Sequence, residues 1–259
     1  MANEPQSKSP GVRDYYDRAA RTVPAFTVLN YGFSSEPEDS VIAADEPEFY
    51  CLRLYEHTLR STPIRNTDVL EVSCGRGGGA QFVTKTYQPR RFVGVDLSHE
   101  NVQLARSRAV PEGVEFVVGS AERLDFGDAS FDVVINIEAS HLYDNRDRFF
   151  AEAFRILRPG GYFCYTDGCW ADDDCTEDLL SAGFNLLERR EITAHVMRAL
   201  RRDSARREAL FDAMADRELR QEYKDWGGVV GYRAYRRFEA GQTRYFSHRL
   251  QRPRGAATA

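Results

Sequence analysis

Two short runs carry side chains suited to moving a proton: Asn136-Ile137-Glu138-Ala139-Ser140-His141 and Tyr165-Thr166-Asp167. Histidine, with a reference pKa of about 6.5, can take a proton from a hydroxyl as its oxygen attacks, and a buried carboxylate can orient the imidazole and stabilise its charged form. His141 and Asp167 are the candidate pair, and Glu138 is a third candidate three positions before the histidine. Each also has a blander reading. His141 can position a substrate without taking its proton, or be structural, and aspartates are common in turns after strands. His57, His99, His195 and His248 stand in no comparable constellation and read as surface or packing residues.

Both runs follow apolar, β-branched stretches, so they are expected at the carboxyl ends of strands, where open parallel sheets place their ligands. The stretch that organises those strands is Val69-Leu70-Glu71-Val72-Ser73-Cys74-Gly75-Arg76-Gly77-Gly78-Gly79, followed by Arg91-Phe92-Val93-Gly94-Val95-Asp96-Leu97-Ser98. A strand, a glycine-rich turn, a helix and a second strand ending in a carboxylate form the nucleotide-binding half of a doubly wound sheet, with Asp96 placed to accept hydrogen bonds from ribose hydroxyls. Strands are expected near 68–73, 92–96, 114–118, 131–137, 161–167, 184–192 and 243–250, with helices near 79–87, 99–109, 146–157 and 175–182. The fold class is α/β: a Rossmann-like, seven-stranded, mostly parallel sheet with helices on both faces, plus an N-terminal helical lid.

Residues 1–12 read as a flexible tail, 13–64 as the lid, with helices near 12–23 and 48–59, and 65–252 as the main domain. A cap insertion at 195–240 and a tail at 253–259 complete the division. From His195 to about Tyr223 the spacing suggests one long helix with Leu200, Leu210, Phe211, Met214 and Leu219 on its apolar stripe. It serves a dimer interface as readily as a lid. An arginine- and aromatic-rich turn follows it.

The glycine loop alone names no nucleotide. Gly75-Arg76-Gly77-Gly78-Gly79-Ala80 fits a dinucleotide fingerprint only with Ala80 as the last small residue, and no Gly-Lys-Ser/Thr follows to hold a triphosphate. Five blocks in order carry more. Glu71-Val72-Ser73-Cys74-Gly75-Arg76-Gly77, Asp96, Gly119-Ser120-Ala121-Glu122, Phe131-Asp132-Val133-Val134 and Leu157-Arg158-Pro159-Gly160-Gly161 resemble the motifs of class I S-adenosylmethionine-dependent methyltransferases. The resemblance covers roughly residues 68–168.

That resemblance implies S-adenosylmethionine as cofactor, with Glu71, Gly75 and Gly77 in the first motif and Asp96 and Leu97 at the ribose. Ala121 and Glu122 fall beside the adenine, Asn136 and Ile137 end the fourth strand, and Tyr16 in the first helix closes over the cofactor, with Tyr31 the next choice. Ser73 departs from the family, where glycine is usual. His141 and Asp167 align with the catalytic pair of some small-molecule and sugar O-methyltransferases. The implied reaction is methyl transfer to a hydroxyl of a small, largely apolar secondary metabolite or its sugar, as in natural-product or antibiotic biosynthesis. C-methylation is the runner-up, and an NAD-dependent oxidoreductase or a noncatalytic scaffold are the alternatives from other classes.

Tyr15, Tyr16, Tyr31 and Phe33 in front, and Trp170, Trp226, Tyr232 and Tyr235 behind, are candidate walls for the acceptor. Aromatic walls exclude water and attract a sulfonium by about 0.5–2 kcal/mol. With 35 Lys and Arg against 40 Asp and Glu the net charge is -5, and no nucleic-acid role is implied; the arginines of 198–220 read as a solvated helix face. Five cysteines at irregular spacing fit reduced thiols in the cytoplasm, and no apolar run of about 18 residues suggests a membrane partner. Asp172-Asp173-Asp174 reads as a helix cap, and no metal ligand set is apparent.

Overall fold

The computed structural model describes residues 9–22, 26–36, 39–108 and 111–254. Its sheet is built from β1 (Asp68–Val72), β2 (Arg91–Asp96), β3 (Val114–Val118), β4 (Phe131–Ile137), β5 (Leu157–Trp170), β6 (Asn185–Glu191) and β7 (Thr243–Gln251). The strand order is β3-β2-β1-β4-β5-β7-β6. Strands β1 to β5 pair in parallel, whereas β7 runs antiparallel between β5 and β6. Chain order reverses direction between β1 and β4, and that switch opens the crevice where such sheets bind ligands.

Burial explains the strand sequences. All five residues of β1 are buried, and Val133 to Ile137 of β4 are too, so the central strands read as continuous apolar runs. The edge strand β6 carries Glu188, Arg189, Arg190 and Glu191, charges that keep a free edge from recruiting other chains. The fifth strand was expected from about 161, after the Arg158-Pro159-Gly160 run. That run belongs instead to the start of β5, because the Gly160 N–H donates to the Arg252 carbonyl and the Arg252 N–H to the Gly161 carbonyl.

Helices α1 (Ser9–Thr22), α2 (Phe49–Leu59), α3 (Gly78–Tyr87), α4 (His99–Ser107), α5 (Arg146–Ile156) and α6 (Thr176–Ser181) follow the expected positions closely. The first begins earlier than expected: residues 9–12, assigned to a tail, form its opening turn, while 1–8 and 255–259 lie outside the described residues. Ser98 caps α4 by accepting from the Asn101 N–H, and Asn145 caps α5 by accepting from Arg148.

The expected single helix at 195–223 is two helices, α7 (Thr193–Asp212) and α8 (Arg217–Trp226). Asp216 breaks the run. Its side chain accepts from the Leu219 N–H and so starts a new helix within a pattern whose apolar spacing continues unbroken. The expected turn beyond Tyr232 contains a further helix, α9 (Arg233–Glu239), with Ala234, Tyr235 and Phe238 buried.

Two apolar cores cover the faces of the sheet, and a third, separate one joins α1 to α7 and α8 through Ala19, Phe26, Phe211, Met214, Leu219, Tyr223 and Val229. Polar ties reinforce it. Arg18 bonds Asp216 and Glu218, and Asp17 accepts from the Ser98 hydroxyl and the Glu100 N–H at the start of α4. The N-terminal helix is thereby held across the carboxyl ends of the strands.

Candidate active site

A cavity opens over the carboxyl ends of β1, β2 and β4, under α1. Its floor is the glycine loop. Gly77 sits at a φ of 80° where the chain turns into α3, and a Cβ there would come within 3.1 Å of Ala105 and Phe116 side chains. Gly75 faces the other way. A Cβ added to it meets no atom within 4 Å and would project into the cavity, so this glycine preserves room for a ligand.

Asp96 lines one end of the cavity. One carboxylate oxygen accepts from the Gly75 N–H at 2.8 Å, and the other from Ser98 N–H at 2.9 Å and the Asn101 amide at 3.3 Å. Burial raises its pKa even against those bonds. A carboxylate has about four lone-pair sites, so acceptor capacity remains for a diol. Leu97, Ala121 and Glu122 line the same end, and Tyr16 reaches in from α1. Glu122 is also fixed by the Asp144 N–H at 2.8 Å. An adenosine-class molecule suits this set.

The opposite end is acid–base in character. Ile137 and Glu138 line the cavity where β4 ends. Glu138 holds a left-handed φ of 53°, an uncommon conformation for a non-glycine residue, and three contacts maintain it. Its N–H donates to the Thr166 carbonyl at 2.8 Å, while its carboxylate accepts from the Tyr31 N–H at 2.7 Å and from the Tyr245 hydroxyl. Burial pushes this carboxyl up to about 7 although both bonds pull it down.

His141 lies in a short 3₁₀ turn, Ser140–Leu142, that brings its ring to Asp167 at the end of the parallel part of β5. The His141 Nδ1 to Asp167 Oδ1 separation is 2.7 Å. Asp167 is buried and also accepts from Ser140 Oγ at 2.8 Å, His141 N–H at 3.1 Å and Gly168 N–H at 2.8 Å. Burial opposes its ionisation, but the histidine and these bonds outweigh that and hold its pKa below the usual carboxylate range. The dyad geometry expected from sequence is present, with the imidazole side chain 43% exposed.

Not every candidate reaches the cavity. Glu71, expected in the cofactor motif, is sealed beneath the loop, where its Oε1 accepts from the Tyr55 hydroxyl at 2.6 Å and burial pushes it up to about 8. Gly79 permits that contact, since a Cβ there would sit 2.2 Å from the Tyr55 ring. Gly77 shapes the loop from outside the cavity. Asn136 is buried and donates to the Val72 carbonyl and the Tyr143 hydroxyl, so it supports the wall without lining it. Tyr31, His141 and Asp167 stand just beyond the lining, with Tyr31 donating its hydroxyl to the Trp226 carbonyl at 2.7 Å.

Sequence reading missed Arg13, Leu29, Asn101, Leu142 and Tyr143, all of which line the cavity. Tyr143 bonds Ser73 at 2.7 Å, and Ser73 holds a φ of 61°, which explains why glycine is usual there and what offsets the departure. The only signal for Tyr143 was its place two residues past His141. The aromatic walls divide: Tyr15 stacks on Tyr223, Phe33 is sandwiched between His57 and His195, Tyr235 is buried in a core, and Tyr232 packs on the third core. Trp170 and Trp226 are partly exposed and lie outside this cavity.

A family model described as a methyltransferase domain matches residues 70–165. The phthiotriol/phenolphthiotriol dimycocerosates methyltransferase of Mycobacterium tuberculosis is 37% identical over 226 residues, 84% of this chain and 82% of its own. The fatty-acid O-methyltransferase of Mycolicibacterium smegmatis is 34% identical over 229 residues, 87% of this chain and 83% of its own. Among solved structures, the [4+2]-cyclase SpnF superimposes with a TM-score of 0.76 at 20% identity, covering 96% of this chain and 98% of that one. Geranyl diphosphate C-methyltransferase from Streptomyces coelicolor gives 0.69 at 14%, covering 95% and 98%. These two likenesses speak to the fold alone, and one of the pair is a cyclase, so fold does not dictate the reaction.

Proposed function

Because this chain belongs to the class I S-adenosylmethionine-dependent methyltransferases, we propose that it methylates a hydroxyl of a small, largely apolar natural product or lipid-like molecule, with His141 as the base. S-adenosylmethionine is the methyl donor and supplies an electrophilic methyl on its sulfonium. The observation that carries the oxygen reading is the 2.7 Å contact between His141 Nδ1 and Asp167 Oδ1. With Asp167 holding the Nδ1 proton, Nε2 is the basic nitrogen, and the carboxylate stabilises the imidazolium formed when the hydroxyl proton is taken.

The rest of the chain supplies position and dryness. Asp96 and the glycine loop orient the donor's ribose, while Tyr16, Leu142 and Tyr143 exclude water from the cavity. Fixing two reactants in line is itself a large part of the rate. Two relatives also favour oxygen on a lipid-like acceptor, one named for fatty-acid O-methylation and the other for triol-derived dimycocerosates.

C-methylation is a second reading with its own support, since Glu138 lines the cavity and His141 does not. A carboxyl pushed up to about 7 is a competent base for a carbon acid. The experiment is a titration with S-adenosylhomocysteine beside NADH, then an acceptor panel of long-chain alcohols, sugars, fatty acids and activated carbon acids such as 1,3-dicarbonyl compounds with wild type, His141→Ala and Glu138→Gln. The oxygen reading expects micromolar S-adenosylhomocysteine binding, none of NADH, and loss of about 10²–10⁴ in rate on hydroxyls for His141→Ala. Loss confined to Glu138→Gln on a carbon acceptor transfers the role to Glu138, and absence of cofactor binding overturns both.

A further inference from the structure

Beyond the wall that Tyr31 and Phe238 form lies a surface groove lined by Val230, Tyr232, Arg233, Arg236 and Arg237, with Asp225 the one acidic side chain in its lining. Both tryptophans of the chain border it, 50% and 41% exposed at Trp170 and Trp226. Arg237 lies between them, its guanidinium carbon 4.7 Å from each indole ring, and Arg233 sits 5.3 Å from the Trp226 ring. A patch of exposed aromatic surface rimmed by charged groups is the kind that marks an interaction site.

The arginines are set up to receive an anion. Among the described residues, none of Arg233, Arg236 and Arg237 has a carboxylate within ion-pair distance or an acceptor for its side-chain N–H groups. A guanidinium held by an aromatic ring through cation–π attraction still carries five N–H donors, which pair with carboxylate or phosphate oxygens. The exposed tryptophans and Val230 supply apolar surface next to that charge. An anion with an apolar body satisfies both, whereas a bare ion leaves the indoles uncovered and a neutral chain leaves the guanidiniums unpaired.

The groove adjoins the reacting centre. Trp226 accepts the Tyr31 hydroxyl through its carbonyl, and Tyr31 in turn donates its N–H to Glu138. Trp170 lies three residues beyond Asp167 on β5, about 10 Å along an extended strand. Phe238 packs edge-on to Tyr31 from the inside while the neighbouring Arg237 faces the groove. We infer that this groove is a recognition subsite for the far end of the acceptor, an anionic group of the carboxylate or phosphate class on an apolar body. The assignment to the acceptor rests on the methyl-transfer reading above; the anion subsite itself does not.

Because both tryptophans border the groove, intrinsic emission reports on it directly. Decane-1-sulfonate, an anion that is a poor methyl acceptor, is titrated below its micelle concentration into the full chain, with decan-1-ol and methanesulfonate as the chain-only and head-only controls. Binding is expected to be saturable, to shift the emission to the blue, and to weaken in high salt, with each control at least tenfold weaker. Arg237→Gln and the double substitution Arg233→Gln with Arg236→Gln are each expected to weaken it tenfold or more while S-adenosylhomocysteine binding stays unchanged. Equal binding of decan-1-ol, equal binding of methanesulfonate, or indifference to both sets of arginine substitutions would overturn the subsite. A saturable sulfonate response from a protein that methylates none of the acceptors tested keeps the subsite and removes only its assignment to the methyl acceptor.

Discussion

Replacing Asp167 with asparagine tests the dyad most directly. The side chain is 4% exposed and receives four hydrogen bonds, from His141 Nδ1 and Gly168 N–H on one oxygen and Ser140 Oγ and His141 N–H on the other. Asparagine keeps the shape but turns one of those acceptors into a donor facing donors. It also removes the charge that stabilises imidazolium. A hydrogen bond to a charged group contributes about 1.5–3 kcal/mol, which corresponds to a drop of roughly 10- to 150-fold in kcat on a hydroxyl acceptor. Asp167 does not line the cofactor cavity, so the affinity for S-adenosylhomocysteine is expected to be unchanged. The same mispairing lowers stability by about 1–3 kcal/mol, so initial rates are read well below a melting midpoint measured in parallel. A folded Asp167→Asn protein whose kcat stays within threefold of wild type, with a normal pH profile, would refute the claim that His141 acts as a base held by this carboxylate.

Two further outcomes follow from the same geometry. Asp96→Ala removes the acceptor for the Gly75 and Ser98 amides and for the ribose; calorimetry is expected to show S-adenosylhomocysteine binding weakened at least tenfold, and an unchanged dissociation constant would remove Asp96 from the cofactor site. Glu71→Gln concerns stability. Because the folded carboxyl titrates at about 8, far above its unfolded value, the unfolded chain loses its proton first, and wild-type stability falls as pH rises from about 4.5 to about 8. The neutral glutamine removes that dependence, so denaturant melts at pH 9 are expected to favour Glu71→Gln by on the order of 3–5 kcal/mol, against little difference at pH 4. Parallel pH profiles for the two proteins would contradict the buried placement.

The sheet was legible because its strands are apolar, short and separated by glycine or capping residues, and local pattern suffices for that. The break at Asp216 was not, since the apolar spacing of 200–219 continues through it and only one aspartate marks the new start. At the site, Asp96 could be read because it ends β2, and His141 and Asp167 because their runs follow the apolar, parallel-paired stretches of β4 and β5. Glu71 could not be placed from its motif: its burial depends on Tyr55, which approaches over Gly79 from a distant helix. The position of the two tryptophans outside the main cavity was hidden for a related reason. An aromatic residue looks the same in a sequence whether it walls a cavity or stacks on an arginine outside it.

The order of strands at the right-hand edge has a consequence for how the chain is made. Within the sheet, β6 pairs only with β7, and β7 follows the other six strands in the chain. Until residues 243–251 emerge, the stretch 185–191 has no neighbour to pair with and Glu138 lacks its Tyr245 partner. The strands β1 to β4 can pair early from near neighbours, whereas the end of the site around Glu138 closes only once β7 is available. A nascent or truncated chain therefore assembles its binding cradle before the catalytic end that would make a bound donor useful.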